Sequence, residues 1–316
     1  MKKIVVFIAL FALPTIAHAD APPSRFFIGG DGKINIAGRG ASFNGTYRKA
    51  DGSYDEAAMK RINAIYGSRH NIPGAEITPR LVEFLDFLQD ELSPGRRITV
   101  RSGYRSPRYN TGLRNKGRLA AKASLHQYAM AADIRIDGVS SKRVWDFIKE
   151  LGYGGAGYYH GSLVHVDVGP ARSWDETTSG VGTDISDDNK LVDLMTDRDI
   201  YFQGEPISMQ ITRMTAFPIG VSPVFTLERA DGEKMKKPIK ITSSLSDGSK
   251  EECPKFSSIE SLANATARLP NDIPPGRYRV KATFCEKEWE SMPDFAESRE
   301  IEIRRFVGRA DGEEQK

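Results

Sequence analysis

Histidine is scarce in this chain, and three of its histidines stand close together in the sequence. Four of the 5 histidines follow residue 19, and His126, His160 and His165 lie within forty residues of one another. Asp133 follows His126 by seven positions. Two imidazoles and one carboxylate form a three-ligand set that suits Zn²⁺ and leaves a fourth tetrahedral position for water. Zinc lowers the pKa of such a water to about 7 and polarises a carbonyl, which is the chemistry of amide hydrolysis.

Strand alternation places these polar residues on one face of a sheet. In the run 164–168 the valines alternate with His165 and Asp167, so the two polar side chains share a face. Asp133 is likewise on the opposite face from the isoleucine that follows it. If the apolar faces pack on helices, the polar set emerges on the far side, where a ligand can reach it. The alternative is a set of isolated polar residues, with each histidine bonded to backbone.

The elements around this set predict an α+β domain. One helix begins at Thr78-Pro79 and carries a leucine stripe, and two more are predicted around residues 59–66 and 141–151. Three short runs alternate strictly between apolar and polar residues, namely 97–100, 133–136 and 163–168. The alternation predicts a mainly antiparallel sheet with helices on one face.

The first 19 residues have the features of a secretory signal peptide. Two lysines precede an apolar run, and Ala17-His18-Ala19 supplies an A-x-A cleavage site. The alternative, a membrane anchor, needs an apolar run of about 20 residues, which neither this segment nor any later stretch reaches. We therefore expect an exported, soluble protein, periplasmic or secreted, with no membrane span. The 45 Lys plus Arg nearly cancel the 42 Asp plus Glu, so no nucleic-acid partner is expected.

The second half of the chain has a different character. Residues 175–189 are polar, acidic and glycine-containing, which is typical of a linker between a domain over 20–174 and the rest. Short alternating strands and Gly- or Pro-containing turns then predict an all-β, immunoglobulin-like sandwich over 190–307. Residues 308–316 are predicted to be a flexible tail. The sandwich is expected to position the first domain or to contact a protein or wall partner.

The only 2 cysteines are Cys253 and Cys285. In an oxidising compartment such a pair predicts a disulfide, and a reactive thiol is the weaker alternative. Cys285 falls on the polar face of the alternating run 278–285, so we expect the bond at the periphery of the sandwich.

An ordered series of motifs resembles the M15-type zinc peptidases. The motifs are Ser102-Gly103-Tyr104-Arg105-Ser106-Pro107, Ser124-Leu125-His126, Ala131-Ala132-Asp133-Ile134, Gly154-Gly155-Ala156-Gly157-Tyr158-Tyr159 and Val164-His165-Val166-Asp167-Val168-Gly169-Pro170-Ala171-Arg172. Among these peptidases the chain is most similar to the branch of periplasmic murein hydrolases. The resemblance covers about half of the chain. It implies an α+β fold and a D,D- or L,D-peptidase acting on peptidoglycan stem peptides or cross-links.

The same resemblance implies roles for single residues. His126, Asp133 and His165 match the zinc ligands. Arg105 matches an arginine that holds a substrate carboxylate or a polarised carbonyl, a task that suits its planar donor fork, and Tyr104 and Ser106 adjoin it as substrate-binding residues. The alternative for Arg105 is a solvated loop residue. Ser124 matches a serine two positions before the first ligand, which is a plausible hydrogen-bond donor behind the metal site.

The chain departs from the family pattern at two positions. Ala129 stands where a glycine is usual, so we expect the backbone there to avoid positive φ. Ser162 stands where many members have a Glu or Asp that acts as general base. Asp167 is then the candidate base, although it could instead only orient a ligand, and His160 is its rival.

Together these features predict an exported zinc peptidase acting on peptidoglycan. Which peptide bond it cuts, and whether as an endo- or carboxypeptidase, is left open. One alternative is a non-catalytic protein that keeps the fold and binds stem peptides, which the missing carboxylate at residue 162 favours. Another is a zinc peptidase that acts on proteins.

Overall fold

The structure is a computed structural model of the full chain. It describes residues 22–67, 75–233, 237–245, 252–262 and 264–305. The predicted signal peptide and the predicted flexible tail lie outside the described residues. Within them, none of the helices combines the length and the apolar character that crossing a bilayer requires.

A seven-stranded sheet forms the first half. Its strands in chain order are β1 (Lys33–Gly38), β2 (Ala41–Thr46), β3 (Ile98–Ser102), β4 (Ala131–Ile136), β5 (Gly155–Tyr158), β6 (Val164–Asp167) and β7 (Arg172–Asp175). Their order across the sheet is β2-β1-β3-β4-β6-β5-β7. Only the pairs β1–β3 and β5–β7 are parallel. The mainly antiparallel sheet predicted from the alternation is therefore present.

Four helices accompany this sheet. They are α1 (Glu56–Tyr66), α2 (Pro79–Leu92), α3 (Pro107–Asn115) and α4 (Ser141–Leu151). The three helices predicted from the sequence correspond to α1, α2 and α4, and the Thr78 hydroxyl caps α2 as expected. The fourth, α3, was not predicted, because it has no apolar stripe and buries only Asn110. The α+β class of this half is thus confirmed.

Helix α2 is buried on all its faces between residues 80 and 89. Its leucines face the apolar core, as the predicted stripe requires. Its polar side chains recur every three residues, and each bonds to a different part of the chain. These contacts are Arg80 with Asp199, Glu83 with Arg48, Asp86 with Tyr47 and Gln89 with Asn35.

The second half consists of two mainly antiparallel sheets. Its strands are β8 (Asp193–Thr196), β9 (Ile200–Phe202), β10 (Pro206–Thr212), β11 (Ile219–Val221), β12 (Val224–Arg229), β13 (Ile239–Thr242), β14 (Lys255–Phe256), β15 (Ala265–Arg268), β16 (Gly276–Glu286), β17 (Phe295–Glu297) and β18 (Ile301–Arg304). One sheet is β15-β10-β8, and the other is built around β16. The predicted all-β character is therefore observed, whereas the immunoglobulin-like topology stays a prediction.

The predicted disulfide is confirmed. Cys253 and Cys285 are bonded, with their Cα atoms 5.9 Å apart. Cys285 lies near the end of β16 and is exposed, and Cys253 is partly buried. The bond is therefore at the periphery, where the alternation of β16 predicts it.

The two halves share one apolar cluster. Arg80 on α2 forms a buried ion pair with Asp199, which lies in the turn between β8 and β9. The Tyr128 hydroxyl accepts a hydrogen bond from the Met214 backbone NH at 3.1 Å. The segment predicted as a linker has no helix or strand between residues 176 and 186. The boundaries proposed from the sequence stay a prediction, but the halves are packed together.

The first described residues also join the two halves. The Arg25 carbonyl accepts from the backbone NH groups of Asp199 and Ile200, each at 3.0 Å. The Arg25 Nε donates to the Ile200 carbonyl at 2.8 Å. On the other side, the Ser24 hydroxyl donates to Glu83 of α2 at 3.4 Å. This N-terminal segment therefore lies between α2 and the second half.

Candidate active site

The three predicted metal ligands meet at the middle of the first sheet. His126 lies in a 3₁₀ turn, Leu125–Tyr128, that leads into β4, which carries Asp133. His165 lies on β6, directly opposite Asp133 in the antiparallel register. All three side chains are buried, with exposures of 1%, 6% and 7% in chain order. Strand alternation and strand pairing together therefore bring the predicted set to one point.

The ligand atoms are spaced as a tetrahedral zinc site requires. His165 Nδ1 is 3.2 Å from Asp133 Oδ1 and 3.3 Å from His126 Nε2, and His126 Nε2 is 3.5 Å from Asp133 Oδ1. Ligands at about 2.0–2.2 Å from a tetrahedral zinc stand about 3.3–3.6 Å from one another. These residues therefore fit a zinc ion.

The other ring nitrogen of each histidine is already engaged. His126 Nδ1 is 2.7 Å from the Gly103 carbonyl oxygen, to which it donates. His165 Nε2 is 2.9 Å from Asp167 Oδ2 and donates to it. In the neutral form of each ring, the nitrogen that faces Asp133 therefore carries the lone pair, which is the form that binds a metal.

Asp133 is held by two further donors. Arg105 Nη2 donates to its Oδ2 at 2.6 Å, and the Tyr159 hydroxyl donates to its Oδ1 at 2.9 Å. Arg105 Nε also donates to the Ser102 hydroxyl at 3.0 Å. Arg105 is thus not a solvated loop residue, and these two bonds leave its Nη1 for other partners.

Burial and the neighbouring charges shift the pKa values of the ligands. Burial alone would raise the pKa of Asp133, but the two histidines hold it well below its usual range. Burial lowers the pKa of His126. Burial would also lower the pKa of His165, but its hydrogen bonds to Asp133 and Asp167 raise it. The carboxylate is therefore ionised, which suits it to a cation.

Asp167 is placed to orient His165 and not to accept a proton from water. Its Oδ2 faces His165 Nε2, and its Oδ1 accepts from the backbone NH groups of Gly155 and Gly169 at 3.1 and 2.9 Å. Arg172 donates to both oxygens, at 3.0 and 2.5 Å. Although burial raises the pKa of Asp167, the Arg172 charge and His165 hold it far below its usual range. This geometry favours the orienting role, and a role for Asp167 as general base stays a prediction without support from its contacts.

His160 is not brought to the ligand set. It is exposed, with φ of 54°, and its ring lies 4.4 Å from that of Tyr158. Tyr158 in turn packs against Trp145 of α4, at 5.7 Å between ring centroids. His160 therefore lies on the α4 side of the sheet, whereas Tyr159 reaches Asp133. The expectation of His160 as a rival base has no support in this geometry.

The remaining predicted residues have mainly structural contacts. The Ser106 hydroxyl caps α3 by accepting from the Tyr109 backbone NH at 3.2 Å. Tyr104 is partly buried and packs against the core. Ser124 is buried and precedes the 3₁₀ turn, which its side chain does not cap, and its expected role behind the metal site stays a prediction. Ala129 has φ of 55°, which overturns the expectation that it avoids positive φ.

Three residues near the ligands were not predicted as site residues. Tyr159 and Trp174 pack on each other at 5.5 Å, and Trp174 lies 5.6 Å from the His165 ring. Arg172 holds Asp167 in place. Burial raises the pKa of Tyr159 far above its usual value, so its hydroxyl stays protonated and donates. Strand alternation could have identified Tyr159. Consecutive side chains at the end of β5 point to opposite faces, so Tyr159, and not Tyr158, falls on the same face as His165.

Comparisons with known proteins match the half of the chain that contains these residues. A sequence model of the family described as peptidoglycan L,D-endopeptidase MepK matches residues 33–174. The peptidoglycan L,D-endopeptidase MepK of Escherichia coli is 29% identical over 167 residues, which are 52% of this chain and 88% of that protein. The probable peptidoglycan L,D-endopeptidase MepK of Haemophilus influenzae is 32% identical over 137 residues, 43% of this chain and 73% of that protein.

The family match covers β1 through β7 and includes every residue of the ligand set. It ends at residue 174, so the second half lies outside it. The matched half also carries the motifs that resemble the M15-type peptidases. This chain belongs to the M15-type peptidase family described as peptidoglycan L,D-endopeptidase MepK.

Proposed function

We propose that this protein is a periplasmic or secreted zinc-dependent endopeptidase that hydrolyses peptide bonds in peptidoglycan stem peptides or cross-links. The observation that carries the proposal is the tetrahedral spacing of His126 Nε2, Asp133 Oδ1 and His165 Nδ1. The relatives are named as L,D-endopeptidases, which favours an L,D bond over a D,D bond. The zinc, the substrate and the location are parts of the proposal.

The residues of the chain would hold the metal in a fixed orientation. A bound zinc ion would polarise the scissile carbonyl and lower the pKa of a water molecule. His126, Asp133 and His165 supply three ligands, which leaves one tetrahedral position open. The Gly103 carbonyl and the Asp167 carboxylate keep the two imidazoles in the tautomers that bind.

Arg105 and Tyr159 have two tasks in this proposal. Their hydrogen bonds fix the Asp133 carboxylate, and both side chains adjoin the ligand set at which a substrate would bind. Arg105 Nη1 is available to a substrate carboxylate or carbonyl, in keeping with the role implied by the family resemblance. The Tyr159 hydroxyl stays protonated and donates its one hydrogen to Asp133, so it would meet a substrate only through its acceptor oxygen and would not act as a base.

The second half is proposed to be an immunoglobulin-like sandwich over residues 190–307 that positions the first half on the wall. Its two sheets and their shared apolar core support this proposal. A protein partner is the other role that this half could serve.

The test is to incubate the zinc-loaded protein with intact sacculi and to identify the released fragments by mass spectrometry. The proposal predicts fragments with a cleaved stem peptide or cross-link, and the cleaved bond distinguishes L,D from D,D specificity. Sacculi that bind the protein without release of fragments would indicate a non-catalytic wall protein. Cleavage of a protein substrate in place of sacculi would indicate a general zinc peptidase.

A further inference from the structure

Residues 106–125 form a loop that leaves the candidate active site and returns to it. The Arg105 backbone NH donates to the His126 carbonyl at 3.0 Å, which ties the two ends together. Between them lies α3, of which only Asn110 is buried. Asn110 Nδ2 donates to the Ala121 carbonyl at 2.9 Å and so fixes the part of the loop that follows α3. We call residues 106–125 the α3 loop.

The α3 loop is strongly basic. Residues 106–125 include five Lys or Arg and no Asp or Glu. Arg108, Lys116 and Arg118 are exposed on the loop. None of these three forms an ion pair with the residues that the structure describes, whereas Lys122 pairs with Asp187 at 2.5 Å.

Exposed apolar side chains stand among these cations. Tyr109 is 58% exposed and Leu119 is 40% exposed. They are two of only four large apolar side chains at least this exposed among the described residues. Since the whole chain is close to neutral, with 45 basic and 42 acidic residues, the charge of the α3 loop is a local concentration. Such a concentration attracts an anionic polymer by long-range electrostatics.

The position of the loop indicates which polymer this is. The loop starts directly after Arg105, which bonds Asp133, and ends directly before His126. Both ends of the loop therefore lie at the ligand set, so a substrate longer than one stem peptide that occupies this set has the loop beside it. The stem peptides of peptidoglycan carry free carboxylates, and these recur along every strand of the wall.

We propose that the α3 loop is a second binding surface for the carboxylates of stem peptides next to the one being cut. The protein would then act preferentially on the polymeric wall and less well on soluble wall fragments. This inference rests on the proposed function, because it takes the wall peptide as the substrate. Anionic lipid is the other polyanionic surface that the same cations could meet, and the experiment distinguishes the two.

The test compares two variants with the same change in net charge. The first is Arg108→Glu, Lys116→Glu and Arg118→Glu together. The control is Lys60→Glu, Arg61→Glu and Lys240→Glu, which changes exposed residues on α1 and β13. Both are compared with the unaltered protein for co-sedimentation with intact sacculi and with vesicles of anionic lipid, and for cleavage of sacculi and of soluble muropeptides. Thermal unfolding checks that both variants are folded.

We expect the α3 variant to bind sacculi about tenfold more weakly at low salt, and the difference to shrink at about 1 M salt, where charges are screened beyond about 3 Å. Its ratio of cleavage rates, sacculi over soluble muropeptides, should fall about tenfold, while the control stays within about twofold of the unaltered protein. Sacculi whose carboxylates have been amidated should bind the unaltered protein as weakly as the α3 variant binds native sacculi.

Three results would overturn the inference. They are equal losses in both variants, unchanged binding of sacculi by the α3 variant, and a loss confined to vesicles of anionic lipid. A different result bears on the proposed function alone. If the unaltered protein sediments with sacculi through the α3 loop but cuts neither substrate, the binding surface stands and the peptidase activity fails.

Discussion

Each of the three candidate zinc ligands forms at least one further hydrogen bond, with a group outside the ligand set. His126 is held by the Gly103 carbonyl, His165 by Asp167, and Asp133 by Arg105 and Tyr159. Such contacts orient ligands and tune their basicity, and their loss commonly weakens metal binding by about 10–100-fold. At the scale of single residues, metal affinity is therefore the most informative quantity to measure.

His126→Ala and His165→Ala should each abolish zinc binding and peptidase activity together. Each change removes one of three ligands, and metal affinity depends on the complete set. Elemental analysis of the zinc-loaded protein should give close to one zinc per unaltered chain and almost none for either variant. An unaltered protein without near-stoichiometric metal would show that the ligand set is not a zinc site.

Asp167→Asn should weaken zinc affinity by about 10–100-fold, because the amide holds His165 less firmly than the carboxylate does. Competition with a chromogenic chelator measures this affinity. His160→Gln is the control and should change neither affinity nor rate, since His160 lies on the α4 side. If Asp167→Asn instead lowers the rate by about 10²–10⁴ with zinc affinity intact, Asp167 is a general base after all.

Tyr159→Phe should weaken zinc affinity by about tenfold, because Asp133 Oδ1 loses its hydroxyl donor. Tyr158→Phe is the matched control, since the Tyr158 ring packs on Trp145, away from the ligands. Chelator competition for both variants, with their urea unfolding curves alongside, tests this role. Equal affinities in the two variants would limit Tyr159 to a contact with substrate.

Helix α2 illustrates at the scale of elements what spacing can and cannot predict. Its leucine stripe predicted one buried face, and that face is buried. Its polar stripe would ordinarily face solvent, but here Glu83 and Asp86 are buried too. Their partners Arg48 and Tyr47 lie 35 and 39 positions away in sequence. Pairing over such distances is not encoded in local periodicity.

The alternation of apolar and polar residues along single strands predicted which side chains share a face of the first sheet. The parity of β4 and β6 placed Asp133 and His165 on one face before their register was known. Helix α3 was missed because a helix without an apolar stripe has no periodic signal. The positive φ of Ala129 was missed because the surrounding fold, and not the residue type, imposes it.

The stability of the fold should depend on pH through Asp86 on α2. Burial, with the nearby Asp90 charge, raises the pKa of Asp86 to about 8. In the unfolded chain this carboxyl ionises at about 3.9, so the folded state binds the extra proton between these values. The contribution to stability is therefore full at low pH and is lost as the pH rises from about 4 to about 8, at about 1.4 kcal/mol per pH unit.

Urea unfolding between about pH 5 and pH 8 tests this dependence. Asp86→Asn should flatten the decline in the free energy of unfolding, because the amide does not ionise. Asp272→Asn, at an exposed carboxyl, should leave the decline unchanged. A decline that is equally steep in Asp86→Asn would assign it to other groups.

The two halves are packed against each other at the scale of the whole molecule. The sequence indicated a polar linker between them, and composition alone suggested two separate domains. The apolar cluster and the ion pair between Arg80 and Asp199 instead cross that boundary. Composition could not reveal this, because both partners are charged residues of a kind that usually faces solvent.

Asp199→Ala should lower the free energy of unfolding by about 3–5 kcal/mol, because Arg80 would remain buried without its partner. Asp197→Ala, at an exposed carboxyl in the same turn, provides a comparison that leaves Arg80 paired. Chemical denaturation followed by fluorescence measures both. A loss below about 1 kcal/mol for Asp199→Ala would mean that solvent reaches Arg80 readily.

The N-terminal segment between α2 and the second half has a consequence for the order in which the molecule is made. Arg25 leaves the ribosome early, but its partner Ile200 lies 175 positions later in the chain. Chains fold from the N-terminus as they are synthesised. Arg25 can therefore reach its final place only after β9 has emerged. A nascent chain that stops within the first half therefore lacks the contacts of the N-terminal segment with the second half.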